Sequence, residues 1–298
     1  MGIAVTFPGQ GSQSPGMGAP WQDSPEWSLV TRAEALLDHE VAPLLLDTDP
    51  KRLRHTREAQ LAVFLTSLLA WESAKDALGA AGEVTAFAGH SLGQLTALTA
   101  AGVLDVDDAV RLVARRGELT QAAADANAGG MAALLGADEP QAESACSAAP
   151  DACWLANDNA PGQIVVAGTE AGLADATEAA RAAGVRKVVR LDVDGAFHTP
   201  LMQAAADGLQ EALAGADFKP PTVPVVSNAD AVAYTDAGEW RVRLVDHLVR
   251  PVLWRQTLDT LVGLGADTFV EVGPGRVLTG LARKCRPDMA TELAPVPA

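Results

Sequence analysis

The sequence predicts an α/β protein in which a large domain with a mostly parallel sheet carries a smaller inserted domain. Two observations lead to this prediction. Short apolar strands alternate with amphipathic helices along most of the chain, and between residues 129 and 191 the elements shorten and follow the order β-α-β-β-α-β. A chain of 298 residues, 48% of them hydrophobic, is long and apolar enough to bury the cores of both parts.

The predicted large domain opens with a strand over residues 3–7, which ends in the loop 8–13 of sequence PGQGSQ. Leucine, alanine and tryptophan at helical spacing then predict packed helices over about 26–46 and 58–78. The remaining predicted elements of this domain are a strand over 84–88, an alanine-rich helix over 94–101, strands over 223–227 and 268–272, and a helix over 277–284.

The inserted domain is predicted from six short elements in a row. They are strands over 131–135, 153–156, 164–167 and 186–191, with helices over 139–148 and 171–183. Their order is that of a ferredoxin-like domain. We therefore expect residues 129–191 to form the small domain, and residues 1–128 and 192–298 to form the large one.

Composition excludes several classes of partner. The 38 acidic and 22 basic residues give a formal charge of −16, which disfavours binding to nucleic acid through phosphate neutralisation. The longest apolar run, residues 61–71, is shorter than a membrane helix, so we expect no membrane contact and a cytoplasmic location. Three cysteines without paired spacing predict reduced thiols and no metal site: Cys146, Cys153 and Cys285.

The strongest chemical signal is the G-x-S-x-G pattern that places Ser91 between Gly89 and Gly93. An apolar strand precedes this pattern and a helix follows it, which is the context of a nucleophile on a sharp strand-to-helix turn. Backbone N–H groups at the start of that helix are suited to holding an oxyanion. The pattern therefore predicts an α/β-hydrolase-like large domain with Ser91 as its nucleophile.

A serine nucleophile needs a base, and elimination among five histidines favours His198. His39 and His55 stand among charged residues. His90 is adjacent to Ser91 on a strand-like path, and His247 is in a predicted helix with charged neighbours. His198 lies in a turn that leaves the last strand of the small domain.

The group that orients this histidine stays open at the level of the residues. An α/β-hydrolase usually supplies an acid between its serine and its histidine, and Asp192 and Asp194 are the nearest candidates. Neither lies in a distinctive motif, and strand-end solvation or turn capping explains both. A backbone carbonyl could hold the imidazole instead, which would make the site a dyad.

Six short islands of sequence carry a specific resemblance. They are residues 7–13 (FPGQGSQ), 89–93 (GHSLG), 115–117 (RRG), 157–163 (NDNAPGQ), 195–198 (GAFH) and 271–275 (EVGPG). In this order and over nearly the whole chain, the islands resemble the malonyl-CoA:acyl carrier protein transacylase family, which includes stand-alone acyltransferases of polyketide synthases.

The resemblance implies a mechanism. Ser91 would be acylated by malonyl-CoA and then deacylated by the phosphopantetheine thiol of acyl carrier protein, with His198 as the base and a main-chain carbonyl holding it. The backbone N–H groups of Gln10 and Leu92 would form the oxyanion hole. The family works as a monomer and needs no cofactor or metal beyond its substrate, malonyl-CoA.

The resemblance also implies how the substrate is recognised. Arg116 would bind the free carboxylate of the malonyl group, because a guanidinium offers a planar, bidentate partner that stays charged when it is buried. Phe197 would occupy the space that a branched donor such as methylmalonyl needs. Further positions match residues that line the family's cleft, although packing or turn chemistry would explain them too: Met131, Gln60, Asn157 and Gln163.

The implied partners are an acyl-CoA donor and acyl carrier protein, which is itself acidic, so a basic patch is expected beside the cleft. Two clusters of basic residues are candidates. The first is Arg181, Arg186, Lys187 and Arg190, and the second is Arg276, Arg283, Lys284 and Arg286.

Two positions depart from the family pattern and keep alternatives open. Gln94 stands where the family most often has glutamate, and Leu253 replaces a commoner glutamine. One alternative is a trans-acting polyketide synthase acyltransferase with a non-malonyl extender unit. Another is a serine thioesterase or hydrolase, since the same groups cleave esters, and a third is a carrier-protein binding module without activity.

Overall fold

The computed structural model describes residues 1–297, and within them the chain forms eleven α-helices and ten strands. The helices are α1 Ser28–Leu37, α2 Ala42–Leu46, α3 Thr56–Ala81, α4 Gly93–Ala100, α5 Val106–Ala126, α6 Glu139–Ser147, α7 Glu170–Ala182, α8 Gln203–Leu213, α9 Trp240–Val249, α10 Trp254–Gly263 and α11 Val277–Cys285. The strands are β1 Gly2–Phe7, β2 Glu83–Gly89, β3 Gly129–Leu135, β4 Cys153–Ala160, β5 Gln163–Thr169, β6 Lys187–Arg190, β7 Val225–Val226, β8 Ala233–Tyr234, β9 Thr268–Glu271 and β10 Ala290–Leu293.

Six of the strands form one sheet in the order β10-β9-β1-β2-β7-β8. The first four neighbouring pairs are parallel, and only the edge pair β7–β8 is antiparallel. The prediction of a large α/β unit with a mostly parallel sheet is therefore confirmed. Because parallel strands bury both faces, β1 is apolar at nearly every position.

The two faces of this sheet have different cores. Ile3, Val5 and Phe7 of β1 point into a large cluster that contains much of α3, α5 and α8. Ala4 points the other way, into a smaller cluster with residues of α10 and α11. This alternation follows from the two-residue period of a strand. Helices thus cover both faces, and the carboxyl ends of β1 and β2 remain free to carry loops.

The other four strands form an antiparallel sheet in the order β4-β5-β3-β6. With α6 and α7 between them along the chain, they have the β-α-β-β-α-β order and the strand arrangement of a ferredoxin-like unit, as predicted. Ala132 and Leu134 of β3 pack under α6 and α7, whereas Met131 and Ala133 face the opposite side, towards the larger sheet. That second face forms a wall of the site described below.

Three predicted elements differ in the structure, and the first is the strand expected over 223–227, which is reduced to the two residues of β7. The helix expected over 26–46 is broken, because Asp38 adopts a left-handed conformation with φ 56° after α1 and the chain re-enters a helix at α2, which carries a proline in its first turn. The strand expected over 153–156 continues to Ala160, so the NDNA segment lies within β4 and not in a loop. Among the helices described, none is long and apolar enough to cross a membrane.

Candidate active site

Ser91 lies on the turn between β2 and α4. Its φ of 50° is left-handed, which is uncommon for a residue with a side chain and marks stored backbone strain. The two glycines of the pattern are required by packing: a Cβ on Gly89 would lie 1.9 Å from the carbonyl oxygen of Gly93, and a Cβ on Gly93 would lie 2.1 Å from that of Phe7. The sequence thus builds a tight elbow that only glycine at both positions allows.

Asn228, which follows β7, holds this elbow from below. Its side-chain oxygen accepts a hydrogen bond from the Ser91 N–H at 2.8 Å, and its side-chain nitrogen donates to the Gly89 carbonyl at 2.7 Å. Gln94 in turn accepts from the Asn228 N–H at 2.9 Å and donates to the Val226 carbonyl at 3.2 Å. The glutamine at position 94 therefore orients the residue that clamps the nucleophile.

The Ser91 hydroxyl contacts the imidazole of His198, with 2.9 Å between Oγ and Nε2. The other ring nitrogen, Nδ1, lies 2.8 Å from the main-chain carbonyl oxygen of His247. A carbonyl can only accept a hydrogen bond, so Nδ1 carries the proton and Nε2 is free to accept from the serine. Asp192 and Asp194 are exposed, and Asp192 pairs with Arg54 at 2.9 Å. The open question about the orienting group is thus answered by a backbone carbonyl.

His198 is held neutral by its surroundings. It is 5% exposed, and burial followed by the charge of Arg116 lowers its pKa to about 3. Its backbone is also left-handed, with φ 62°. A neutral imidazole is the form that can take a proton from a hydroxyl, so this environment keeps His198 competent as a base over the physiological pH range.

The loop that follows β1 closes over the elbow. A Cβ on Gly9 would lie 2.4 Å from the His90 carbonyl oxygen and 3.5 Å from the Leu92 nitrogen, so the two segments are in direct contact. The backbone N–H groups of Gln10 and Leu92 donate to no acceptor among residues 1–297. This is the condition for a pair of donors that awaits a negative oxygen.

Arg116 of α5 reaches the same place from the other side. Its Nη1 donates to the Gln60 side-chain oxygen at 2.5 Å, and its Nη2 donates to Ser91 Oγ at 3.3 Å. Gln60 is itself fixed by donating to Thr120 Oγ1 at 3.0 Å. Arg116 as a whole residue is 5% exposed, and burial lowers the pKa of its guanidinium to about 10. No carboxylate within the described chain pairs with it.

These groups open into one cleft of about 290 Å³ between the two sheets. Nine of the ten site residues expected from the sequence line it, and Leu92 lies directly behind it with its side chain in the core. The nine are Gln10, Gln60, Ser91, Arg116, Met131, Asn157, Gln163, Phe197 and His198. Arg115, the neighbour of Arg116, is exposed and pairs with Glu118 at 3.1 Å.

Some residues of the site could not be found from the sequence. Asn228 stands in no motif, and His247 contributes a carbonyl that every residue type carries. His90 is not the base, and it has a structural role that the sequence does not indicate. Its Nε2 lies 2.8 Å from the side-chain oxygen of Asn159, so it donates a hydrogen bond across the cleft to β4. The His247 ring lies 5.0 Å from that of His198, and its Nε2 has no hydrogen-bond partner among the residues described.

Comparisons with known proteins agree with this geometry. A family described as the acyl transferase domain matches residues 5–292. A malonyl CoA-acyl carrier protein transacylase of Bacillus subtilis is 38% identical over 294 residues, which cover 97% of this chain and 92% of that protein. Another malonyl-CoA:acyl carrier protein transacylase, from Xanthomonas oryzae, has a solved structure that superimposes with a TM-score of 0.92 at 37% identity, covering 99% and 95% of the two chains.

A third match is a solved complex of a malonyl-transacylase with the acyl-carrier protein of a type II polyketide synthase. It superimposes with a TM-score of 0.92 at 34% identity and covers all of this chain and 96% of that one. The family match spans nearly the whole sequence, and the matched proteins share its two-sheet fold. The chain therefore belongs to the acyl transferase domain family, and it is an acyltransferase.

Proposed function

We propose that this acyltransferase moves a malonyl group from coenzyme A to the phosphopantetheine thiol of an acyl carrier protein, in fatty acid or polyketide synthesis. One observation carries the choice of donor: the guanidinium of Arg116 is buried beside Ser91 Oγ and has no carboxylate partner in the described chain. A buried cation is costly unless an anion joins it. In malonyl-CoA, one methylene group separates the free carboxylate from the thioester carbonyl. The carboxylate can therefore reach the Arg116 guanidinium, 3.3 Å from Ser91 Oγ, while the carbonyl lies beside Ser91.

In the proposed first half-reaction, Ser91 Oγ attacks the thioester carbonyl while its proton passes to His198 Nε2. The resulting oxyanion accepts hydrogen bonds from the N–H groups of Gln10 and Leu92. The C–S bond then breaks, coenzyme A leaves as a thiol with the proton from His198, and the malonyl ester of Ser91 remains. The His247 carbonyl, 2.8 Å from Nδ1, would stabilise the transient imidazolium.

The second half-reaction runs the same steps with a different thiol. The phosphopantetheine thiol gives its proton to His198 Nε2 and attacks the ester carbonyl, and Ser91 Oγ leaves with that proton. The chain's own groups supply each proton transfer, so we propose that no cofactor takes part. One chain contains every group used here, which supports a monomer as the working unit.

Phe197 is proposed to limit the size of the donor. It is partly buried, lines the cleft and stands next to His198 in the chain. A difference of one methyl group is worth about 1–3 kcal/mol, so discrimination against methylmalonyl should be clear but incomplete. The matched complex of a malonyl-transacylase with a polyketide synthase carrier protein supports polyketide synthesis as one of the two pathways, and a different extender unit stays the second candidate donor.

The acceptor is proposed to dock along the edge that carries Arg276 and Lys284. Lys284 donates to the Gln163 side-chain oxygen at 2.6 Å, and Gln163 lines the cleft, so this cluster borders the entrance. Val277, the neighbour of Arg276, also lines the cleft. Each cluster contains a paired arginine, Arg190 with Glu170 in the first and Arg286 with Asp288 in the second, so the preference rests on the contacts of the second cluster with the cleft. The three free thiols support a reducing, cytoplasmic setting.

The proposal is tested by incubating the protein with malonyl-CoA and holo acyl carrier protein and following the mass of the carrier. We expect the carrier to gain one malonyl group and coenzyme A to be released in equal amount. Release of coenzyme A and free malonate without carrier loading would favour a hydrolase instead. Loading of the carrier from a panel of acyl-CoA donors identifies the extender unit. A higher salt concentration should raise the KM for the carrier protein more than the KM for the acyl-CoA donor.

A further inference from the structure

A short segment of the large domain, residues 252–256, joins the two parts of the molecule next to the cleft. We call it the crossing segment. Its Val252 donates a backbone hydrogen bond to the Ala156 carbonyl at 2.9 Å and accepts one from the Asp158 N–H, also at 2.9 Å. β4 is therefore paired with β5 on one edge and tied to the crossing segment on the other.

The side chains reinforce this backbone tie with a buried ion pair. Asp158 is 3% exposed, and one of its carboxylate oxygens, Oδ2, accepts from Arg255 Nε at 2.9 Å, from Arg255 Nη2 at 2.6 Å and from Gln256 Nε2 at 2.9 Å. Arg255 and Gln256 are at the start of α10, 97 and 98 positions away from Asp158 in the chain. The pair is therefore a contact between domains and not a local turn.

The crossing segment also touches the nucleophile's support. Leu253 donates its backbone N–H to the Asn228 carbonyl at 2.9 Å, and the Asn228 side chain holds the Ser91 N–H. On β4, the residues on either side of Asp158 turn the opposite way and line the cleft. They are Asn157 and Asn159, and Asn159 also receives the hydrogen bond from His90.

We propose that Arg255 and Asp158 are positioning residues for acyl transfer, which set the distance between the β4 wall of the cleft and Ser91. An acyl-CoA must be held between this wall and the nucleophile, and a displaced wall weakens the binding of the donor equally in the ground state and the transition state, which raises KM and leaves kcat little changed. A small ester that only needs Ser91, His198 and the oxyanion donors does not depend on the wall. This inference rests on the proposed function only for the use of a coenzyme A thioester.

The test compares two acyl donors in Arg255→Met. With p-nitrophenyl acetate, we expect the acylation burst of Ser91 to stay within about twofold of the unsubstituted protein. With malonyl-CoA and with acetyl-CoA, we expect KM to rise about tenfold by the same factor for both, with kcat little changed. The conservative Arg255→Lys, which keeps the charge but not the planar fork, should recover part of the loss.

A control removes a more exposed ion pair that stays inside the large domain, which shows whether the loss of an arginine ion pair as such alters the kinetics. Arg32 of α1 pairs with Asp107 of α5 at 2.5 Å. Arg32→Met should therefore leave both the acylation burst with p-nitrophenyl acetate and the KM for acyl-CoA unchanged. If Arg255→Met does not fold, Asp158→Asn keeps the shape of the side chain and should show the same split between the two donors.

Two results would overturn the positioning role: an unchanged KM for every acyl-CoA that the unsubstituted protein accepts, or a parallel fall of the burst and of the thioester reaction. An unsubstituted protein that takes acetyl-CoA but not malonyl-CoA would instead contradict the proposed function and leave this test intact.

Discussion

Arg116 and Arg255 show two opposite uses of a guanidinium in the same molecule. Arg116 is buried beside the nucleophile, and its partners are an amide and a hydroxyl. Arg255 lies at the junction between the domains, keeps 35% of its side chain exposed and grips the buried carboxylate of Asp158. The first cation has no anion within the described chain, and the second has two, Asp158 and the more exposed Glu139.

The difference appears in the direction of the pKa shift at each site. Burial lowers the pKa of Arg116 to about 10, because its charge gains no opposing charge on leaving water. The hydrogen bond and the charge of Asp158 raise the pKa of Arg255. A buried charge without a partner indicates a ligand-binding site, whereas a buried charge that is paired indicates a structural contact between segments.

Loss of the Arg116 guanidinium should have the greatest effect on activity. Arg116→Met keeps most of the side-chain volume but removes the receptor for the donor carboxylate. We expect kcat/KM for malonyl-CoA to fall by about 10²–10³-fold, which corresponds to the loss of a buried, charge-assisted contact of a few kcal/mol. Acetyl-CoA, which has no carboxylate, should react as well as before or better. Equal losses with both donors, measured in parallel assays, would remove the carboxylate role.

The two arginines should also differ in how much they contribute to stability. Arg255→Met leaves Asp158 buried without its cation and should lower the free energy of unfolding by about 1–3 kcal/mol, reduced from the full cost of a buried pair because Arg255 is partly exposed. Arg116→Met relieves an unpaired buried charge and should leave the stability within about 1 kcal/mol of the unsubstituted protein. Urea unfolding of both variants measures this, and a larger loss for Arg116→Met would reverse the assignment.

A further expected effect is on the pH dependence of stability, through the buried imidazoles of His198 and His247. Burial comes first among the causes that lower the pKa values of His198 and His247 from 6.5, so the unfolded chain binds their protons first as the pH falls. Above about pH 6.5 these two histidines therefore do not lower the free energy of unfolding. Below that pH, each imidazole lowers it by about 1.4 kcal/mol per pH unit.

His247→Gln removes one of these imidazoles and keeps the main-chain carbonyl that orients His198. Its stability should therefore fall less steeply than that of the unsubstituted protein below about pH 6.5 and follow the same slope above about pH 7. Thermal unfolding at a series of pH values checks this. Parallel curves over the whole range would show that His247 takes up its proton equally in both states.

The sequence predicted most of the fold because strands with two buried faces and helices with one apolar stripe leave regular patterns. The break after Asp38 was missed, since a single left-handed residue in a helical pattern carries no such signal. The Ser91 elbow was found through its glycines, which the close packing of Gly89 and Gly93 requires. These are constraints that act within a few residues.

The parts of the site that escaped prediction depend on contacts between distant segments. The His247 carbonyl is a backbone group and has no residue preference, so no motif could point to it. Asn228 reaches Ser91 across 137 positions, and Asp158 reaches Arg255 across 97. Such pairs become visible only when the fold brings them together.

Ser91 is proposed to carry the acyl group, and Arg116 to select a donor whose acyl group is charged. Mass spectrometry of the intact protein after a brief exposure to equal amounts of malonyl-CoA and acetyl-CoA, followed by peptide mapping, tests it directly. We expect one malonyl group on the peptide that contains Ser91, and none in Ser91→Ala. An acetyl group in excess at Ser91, or a malonyl adduct that persists in Ser91→Ala, would contradict it.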